Sequence, residues 1–351
     1  MQKLFIRICL ILAVLQLSGL SVAVERSVVP VVKLPIEDWT VVAASKGWIQ
    51  AAYAKYGSSV QLVDPGTTRI NGAEASVLDR GDLHFASRMI YPATQHKVSG
   101  VDAVIVWLSE KSNPYAAPLM ALSTSPINNI QDLKGKTFSA SRIGCGYTSP
   151  YEMFQEAKLP LDTNLQKGQV HYANMLSGTG LTQALLAGRV DAIGSHVALT
   201  NVAPLVIQGL VKVVGRSPAN GAYVNYAGRT TYFAMKKFAD EHPELVKVFL
   251  EEREKTNKWI ESHVDEASAI VAQATRVPQS VVKFGISDAS CIKYWKGEPS
   301  YTEATNSIKQ FQKYYIAHGD DLLTRRHLSD EQIAGFIDKR FFKGGEYSVY
   351  D

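Results

Sequence analysis

Two stretches share one spacing: Leu78-Asp79-Arg80-Gly81-Asp82-Leu83-His84-Phe85 and Leu185-Leu186-Ala187-Gly188-Arg189-Val190-Asp191-Ala192. Each reads as the end of a helix, a glycine, and the start of a strand. Glycine suits the position just past a helix because it takes positive φ without a Cβ penalty. One such joint is a common link. Two of them, at corresponding points of alternating strands and helices, imply two similar α/β lobes with largely parallel sheets.

Working outward from the first joint, β-branched residues predict a strand over 28–34, and a loop follows through Glu37, Asp38 and Trp39. A helix pattern runs from Thr40 through Trp48, Ala52 and Tyr56 to Gly57, and a strand over 60–63 ends at Asp64-Pro65-Gly66. A helix over 71–79 leads into the joint and a strand over 83–87 leaves it; further strands are expected over 103–108 and 118–122. The order then restarts. A short helix and turn over 130–136 feeds a strand over 137–141, and Ser149-Pro150-Tyr151-Glu152 has capping-box spacing with proline at the first helical position. A strand over 169–172, a helix over 179–187 and a strand over 192–195 complete the second half.

From about Arg229 the character changes. A strand over 230–234 precedes a long amphipathic helix that begins at His242-Pro243-Glu244 and places Val246, Phe249, Leu250, Arg253, Asn257 and Ile260 at helical spacing. Helices over 265–275, 278–284, 302–318 and 329–338 follow, a tail expected to wrap back on one lobe.

The chain has 351 residues, 46% hydrophobic and 20% charged, which excludes disorder and disulfide-dense mini-proteins and allows two lobes. The first 23 residues read as a cleaved secretory signal: basic Lys3 and Arg7, an apolar run from Ile8 to Leu15, and small residues at Ser21 and Ala23. Removing Lys3 and Arg7 lowers the formal charge from +4 to +2, too little to point to nucleic acid. Cys145 and Cys291 remain after cleavage in a compartment that permits disulfides, and spacing alone leaves their pairing open. With no CxxC, HExxH or Cys/His cluster, no metal site and no cofactor is expected.

Four further motifs carry a resemblance: Ile130-Gln131-Asp132-Leu133-Lys134-Gly135-Lys136, Ala184 to Ala192, Phe238 to Val246, and Trp259 to Ala267. In this order and spacing the chain, from about Val28 to Asp338, resembles the periplasmic substrate-binding proteins of nitrate/sulfonate/taurine ABC transporters. The resemblance implies a type II periplasmic binding protein fold, two α/β lobes joined by two crossover strands with the solute between them and a helical C-terminal segment. Residues 24–120 and 222–351 would form lobe I and 121–221 lobe II. It implies a monomer that captures a small organic anion and delivers it to a membrane permease, without catalysis. His84 stands where the family has Asp, a change expected to touch only local capping.

In open α/β sheets ligands gather beyond the carboxyl ends of the strands, and helix N-termini there can hold an anion with little net charge. The candidate positions are then Asp38, Trp39, Thr67, Thr68, Ser87 and Arg88 in the first lobe, Cys145, Gly146, Tyr147 and His196 in the second, and Arg229 on the returning crossover. Each has a plainer reading. Arg88 serves a ligand or a surface carboxylate; Thr67 and Thr68 bind an anion or cap a helix; Trp39 floors the ligand or packs the lobe. Asp38 caps a helix or meets a ligand ammonium, Cys145 contacts the ligand or lies buried and inert, and His196 is a ligand group or a hydrogen-bonded structural histidine. Trp39, Tyr91 and Tyr147 would favour a ligand with an apolar or aromatic portion. Two other functions stay open: an enzyme on the same scaffold, desulfinase-like with Cys145 as nucleophile, and a ligand-sensing subunit.

Overall fold

The computed structural model describes residues 31–64, 81–162, 168–175, 178–291, 296–297 and 300–350. The expected signal segment, the helix expected over 71–79, and candidates Thr67 and Thr68 lie outside the described residues.

In the first lobe β1 (Val31–Pro35) pairs in parallel with β2 (Ser59–Val63). A second sheet places β11 (Thr230–Met235) antiparallel between β3 (Phe85–Met89) and β4 (Ala103–Leu108). His84 links the two sheets: its N–H donates to the Lys33 carbonyl at 3.0 Å, and its Nδ1 accepts the Lys33 N–H at 3.1 Å. The spatial order is therefore β2-β1-β3-β11-β4.

The second lobe holds one six-stranded sheet, in which β10 (Val211–Gly215), β5 (Leu119–Leu122), β9 (Ala192–Gly194), β6 (Thr137–Ala140), β8 (Val170–Asn174) and β7 (Leu161–Asp162) are successive neighbours. Read from the other side, the main order is β8-β6-β9-β5-β10, with β5 antiparallel to both neighbours. Each lobe thus has the order second, first, third, foreign, fourth, and the foreign strand, β11 or β5, is the one that arrives along a crossover. The two opening stretches meet at the same point of this plan. Gly81 has φ +70° and Gly188 has φ +66°. In the second lobe Asp191 N–H donates to the Thr137 carbonyl at 2.9 Å, and its Oδ2 accepts the Thr137 N–H at 2.8 Å.

Helix α1 (Asp38–Ser45) and α2 (Trp48–Ala54) follow β1; the single helix expected from Thr40 is broken where Gly47 takes φ +70°. Helix α3 (Ile90–Val98) leaves the end of β3, and α4 (Cys145–Glu156) follows β6. The capping box expected at Ser149 and Glu152 is not formed, because α4 is capped five residues earlier, at Gly144, and Pro150 sits inside it. Tertiary partners claim both residues instead. Ser149 Oγ donates to the Ala117 carbonyl and shares a 2.7 Å bond with Ser217 Oγ. The Glu152 carboxylate accepts the N–H groups of Ala222 and Tyr223 at 2.5 and 2.9 Å. Burial raises the Glu152 pKa, and those two donors partly offset it. Through these bonds α4 is fastened to both crossover segments.

Helices α5 (Thr179–Leu186) and α6 (Ala203–Ile207) complete the second lobe. The tail comprises α7 (Lys236–Glu241), α8 (Pro243–Ser262), α9 (Val264–Thr275), α10 (Gln279–Ser287), α11 (Tyr301–Ala317), α12 (Asp321–Arg325) and α13 (Asp330–Phe336). On α8, Val246, Phe249, Leu250, Arg253 and Ile260 are buried as the spacing predicts. Arg253 is accommodated by the rings of Trp107 and Tyr232, 3.6 and 4.7 Å from its guanidinium carbon. The tail does not stay on one lobe: α8 packs on α1 and α2, whereas Tyr315 of α11 donates to the Thr148 carbonyl of α4 at 2.9 Å. Cys145 and Cys291 are both buried, and no disulfide joins the two in this structure.

Candidate functional site

Helix α3 leaves the carboxyl end of β3 and touches α4, which leaves the loop after β6, so the carboxyl ends of the two sheets face each other. This is where open α/β sheets collect ligands.

On the first-lobe wall Glu37 organises the loop after β1. Its carboxylate accepts Trp39 Nε1 at 2.8 Å, Ser87 Oγ at 2.6 Å and Tyr232 Oη at 2.5 Å, three donors from three elements. Glu37 is also the N-cap of α1, and its N–H is taken by Thr40 Oγ1 at 2.8 Å. The expected site residues divide around it. Trp39 is 3% exposed and packs edge-on against Phe249 at 5.0 Å, so its ring belongs to the core of the lobe. Ser87 is committed to Glu37. Asp38 has an accessible side chain on the first turn of α1, yet the surrounding walls desolvate it and, with the nearby Glu37 charge, raise its pKa to about 6. Arg88 is half-buried and donates to the Ser87 carbonyl at 3.0 Å.

On the second-lobe wall stands the first turn of α4, whose leading N–H groups have no acceptor within the helix. Gly146 lies against Gly194 so closely that a Cβ on either would collide with the other's carbonyl, and this pair lets α4 lie directly on β9. Pro150 adds to the arrangement, since it lacks the N–H that would bond the Gly146 carbonyl. Cys145 is 7% exposed, and burial pushes its thiol up to about 12 despite a hydrogen bond with Tyr223 and the positive charge of Arg88. Arg88 of one lobe and Cys145 of the other are thus electrostatic neighbours. His196 sits after β9 with Nδ1 3.2 Å from the Ala116 carbonyl, and burial lowers its pKa to about 4. It is neutral at physiological pH, with Nδ1 as the donor. Ser195 Oγ and Tyr147 Oη are buried and have no hydrogen-bond partner among the described residues.

Three expected residues are occupied elsewhere. Arg229 is 4% exposed; its Nε donates to the Ser109 carbonyl at 2.8 Å and its Nη1 to Glu303 at 2.6 Å, tying the returning crossover to α11. Tyr147 carries the Arg142 guanidinium over its ring at 4.1 Å. Tyr91 is fully buried and donates to Asp320, so its ring is no open aromatic wall. The sequence reading missed Glu37 as an organiser and Arg142 altogether. Arg142 stands two residues before the Gly144-Cys145-Gly146 run, a basic residue at a strand end, and that was its available signal. Among the described residues no group of three His, Cys, Asp or Glu side chains could hold a metal ion.

Residues 39–267 match the family model described as NMT1/THI5 like. No curated protein matches the sequence. Solved structures are similar at low identity. The periplasmic aliphatic sulphonate binding protein SsuA from Escherichia coli is 17% identical, with a TM-score of 0.67 over 88% of this chain and 97% of that one. The alkanesulfonate-binding protein SsuA from Xanthomonas axonopodis pv. citri, bound to MOPS, is 14% identical, with a TM-score of 0.69 over 89% and 98%. The desulfurization enzyme DSZB is 14% identical, with a TM-score of 0.57 over 91% and 97%. At these identities the likeness carries the architecture, two α/β lobes, which binding proteins and an enzyme share.

Proposed function

Because the chain belongs to the NMT1/THI5-like family and has the two-lobed type II periplasmic binding fold, we propose that it is an extracytoplasmic solute-binding protein. It captures a small organic anion between its lobes, in the manner of sulfonate-binding relatives, and delivers it as a monomer to an ABC transporter permease. The carrying observation is that Arg88 on β3 and the first turn of α4 both stand where the carboxyl ends of the two sheets face each other. A guanidinium and a helix N-terminus are complementary to one anionic group placed between them. Gly146 adds no side chain to that turn, and Asp38 on the first-lobe side would meet an ammonium group of a zwitterionic ligand. The basic and apolar leader over 1–23 supports export.

Catalysis by Cys145 is disfavoured on chemical grounds. A thiol with a pKa near 12 is almost wholly protonated at neutral pH, and the thiolate is the nucleophile. His196 donates its Nδ1–H to the Ala116 carbonyl, and among the described residues no hydrogen bond joins it to Cys145. The test is a thermal-shift screen with alkanesulfonates, taurine, nitrate and aromatic carboxylates. A ligand at one hundred times its Kd stabilises by about 2.7 kcal/mol. Arg88→Ala should weaken the anion found by about 1.5–3 kcal/mol. Silence across the panel, or an anion indifferent to Arg88→Ala, overturns the reading. Turnover of an aromatic sulfinate that Cys145→Ser abolishes would establish the enzyme instead.

A further inference from the structure

We infer that Arg142 is the pin of an interlobe latch, through which the C-terminal segment holds the two lobes in one relative orientation without ligand. Arg142 lies in the loop between β6 and α4 of the second lobe. Its Nη1 contacts Tyr91 Oη at 2.9 Å, at the start of α3 in the first lobe. Its Nη2 donates to Asp320 at 3.1 Å and also to Asp321, both at the turn between α11 and α12. Asp320 is fully buried and closes the triangle, accepting Tyr91 Oη at 3.2 Å and the Leu323 N–H at 2.9 Å. The guanidinium also covers the Tyr147 ring. One side chain thus joins the first lobe, the second lobe and the tail.

The tail is itself braced on both sides. Tyr151 of α4 donates to the His318 carbonyl at 2.5 Å and Tyr315 to that of Thr148 at 2.9 Å, while Arg229 of the crossover holds Glu303. The rings of Tyr91, Tyr315, Tyr151 and Tyr147 follow one another with centroid separations of 5.5 to 5.7 Å, Tyr91 meeting Tyr315 edge-on and the other two pairs stacked. A rotation about the crossovers that separates α3 from α4 has to pull Arg142 from Tyr91 or, where the tail stays with the first lobe, from two carboxylates. Removing one partner of a buried charge pair leaves the other unpaired, so the latch resists small displacements and yields as a unit.

The test places spin labels at Gln50→Cys and Gln208→Cys, exposed positions on the first and second lobes, and reads their distance distribution by pulsed electron resonance without ligand. The latched chain should give one narrow distance, and Arg142→Ala a distribution at least twice as broad or shifted to longer distance. Should Arg142→Ala not fold, Arg142→Lys and Tyr91→Phe keep the bulk and are read in the same way, each expected to broaden the distribution partially. Unchanged narrow distributions in the folded variants overturn the latch. Because no ligand enters the measurement, that result leaves the solute-binding proposal standing, and a silent ligand screen leaves the latch standing.

Discussion

The two helix-to-strand joints have one geometry and two chemistries. In the second lobe the side-chain acceptor is the Asp191 carboxylate, 2.8 Å from the Thr137 N–H. In the first lobe it is the imidazole of His84, 3.1 Å from the Lys33 N–H. In both, the reciprocal backbone bond is present, at 2.9 and 3.0 Å. The plan therefore requires an acceptor at this point and not a particular residue. Imidazole can fill it only when neutral, since a protonated ring has no lone pair at Nδ1. Desolvation secures that state, helped by the charges of Lys33 and His242, and lowers the His84 pKa to about 4. The ring stacks on Phe238 at 4.4 Å, a site that suits a planar aromatic acceptor. The difference teaches that the acceptor at a joint can change from carboxylate to imidazole while its backbone stays the same.

The comparison can be broken most severely by deleting the acceptors. Asp191→Leu and His84→Leu each leave a strand N–H without its partner, a loss of about 1–3 kcal/mol, larger for Asp191 because its bond is charge-assisted. Urea unfolding midpoints measure it, and a neutral Asp191→Leu would show that the bond does not hold the joint. Next come the glycines. Gly81→Ala and Gly188→Ala put a Cβ on left-handed backbone and should each cost about 1–2 kcal/mol, with equal values expected because neither meets a neighbouring atom. A clear inequality would mean that the two turns are not equivalent.

The smallest effect at neutral pH, and the sharpest in discrimination, is the exchange His84→Asp. A histidine whose folded pKa lies below its unfolded value of about 6.5 binds more proton unfolded, so its contribution is complete above pH 6.5 and is lost as pH falls toward 4. His96 and His196, also held near 4 by burial, add to the same acid loss. His84→Asp should leave stability at pH 7 within about 1 kcal/mol of the parent, on the view that the joint needs only an acceptor, and should reduce the fall between pH 6.5 and 4. Denaturation curves across that range check it; an unchanged slope would show that His84 does not carry its share.

Much of the architecture was legible because it is local. Glycine at a helix end, β-branched runs and helical spacing are properties of neighbouring residues, and they place β1, β3, β4, β6 and the long α8 to within a few positions. The misreadings occurred where a distant partner outbids a local one. Ser149 and Glu152 have the spacing of a cap, but two crossover segments offer Glu152 a pair of buried N–H donors and Ser149 a carbonyl and a hydroxyl. Helix α4 consequently starts where Gly144 permits it. The site was half legible for the same reason. Strand ends pointed to Arg88 and to the Cys145-Gly146 turn, whereas nothing local tells that Trp39 faces Phe249, or that Arg229 is already occupied by Ser109 and Glu303.

The sequence by itself determined the twofold plan of lobes, the positive-φ glycines at Gly81 and Gly188, the amphipathic tail and the near-neutral charge of the chain, all of which follow from short-range sterics and composition. Only the tertiary structure decided what each polar side chain binds. It set the protonation of His84 and Cys145, made Glu37 the organiser of the first-lobe wall, and brought Arg142, Tyr91 and Asp320 together from three separate parts of the chain. Burial and pairing are set by what lies across a few ångströms of space, and residue order does not encode that distance.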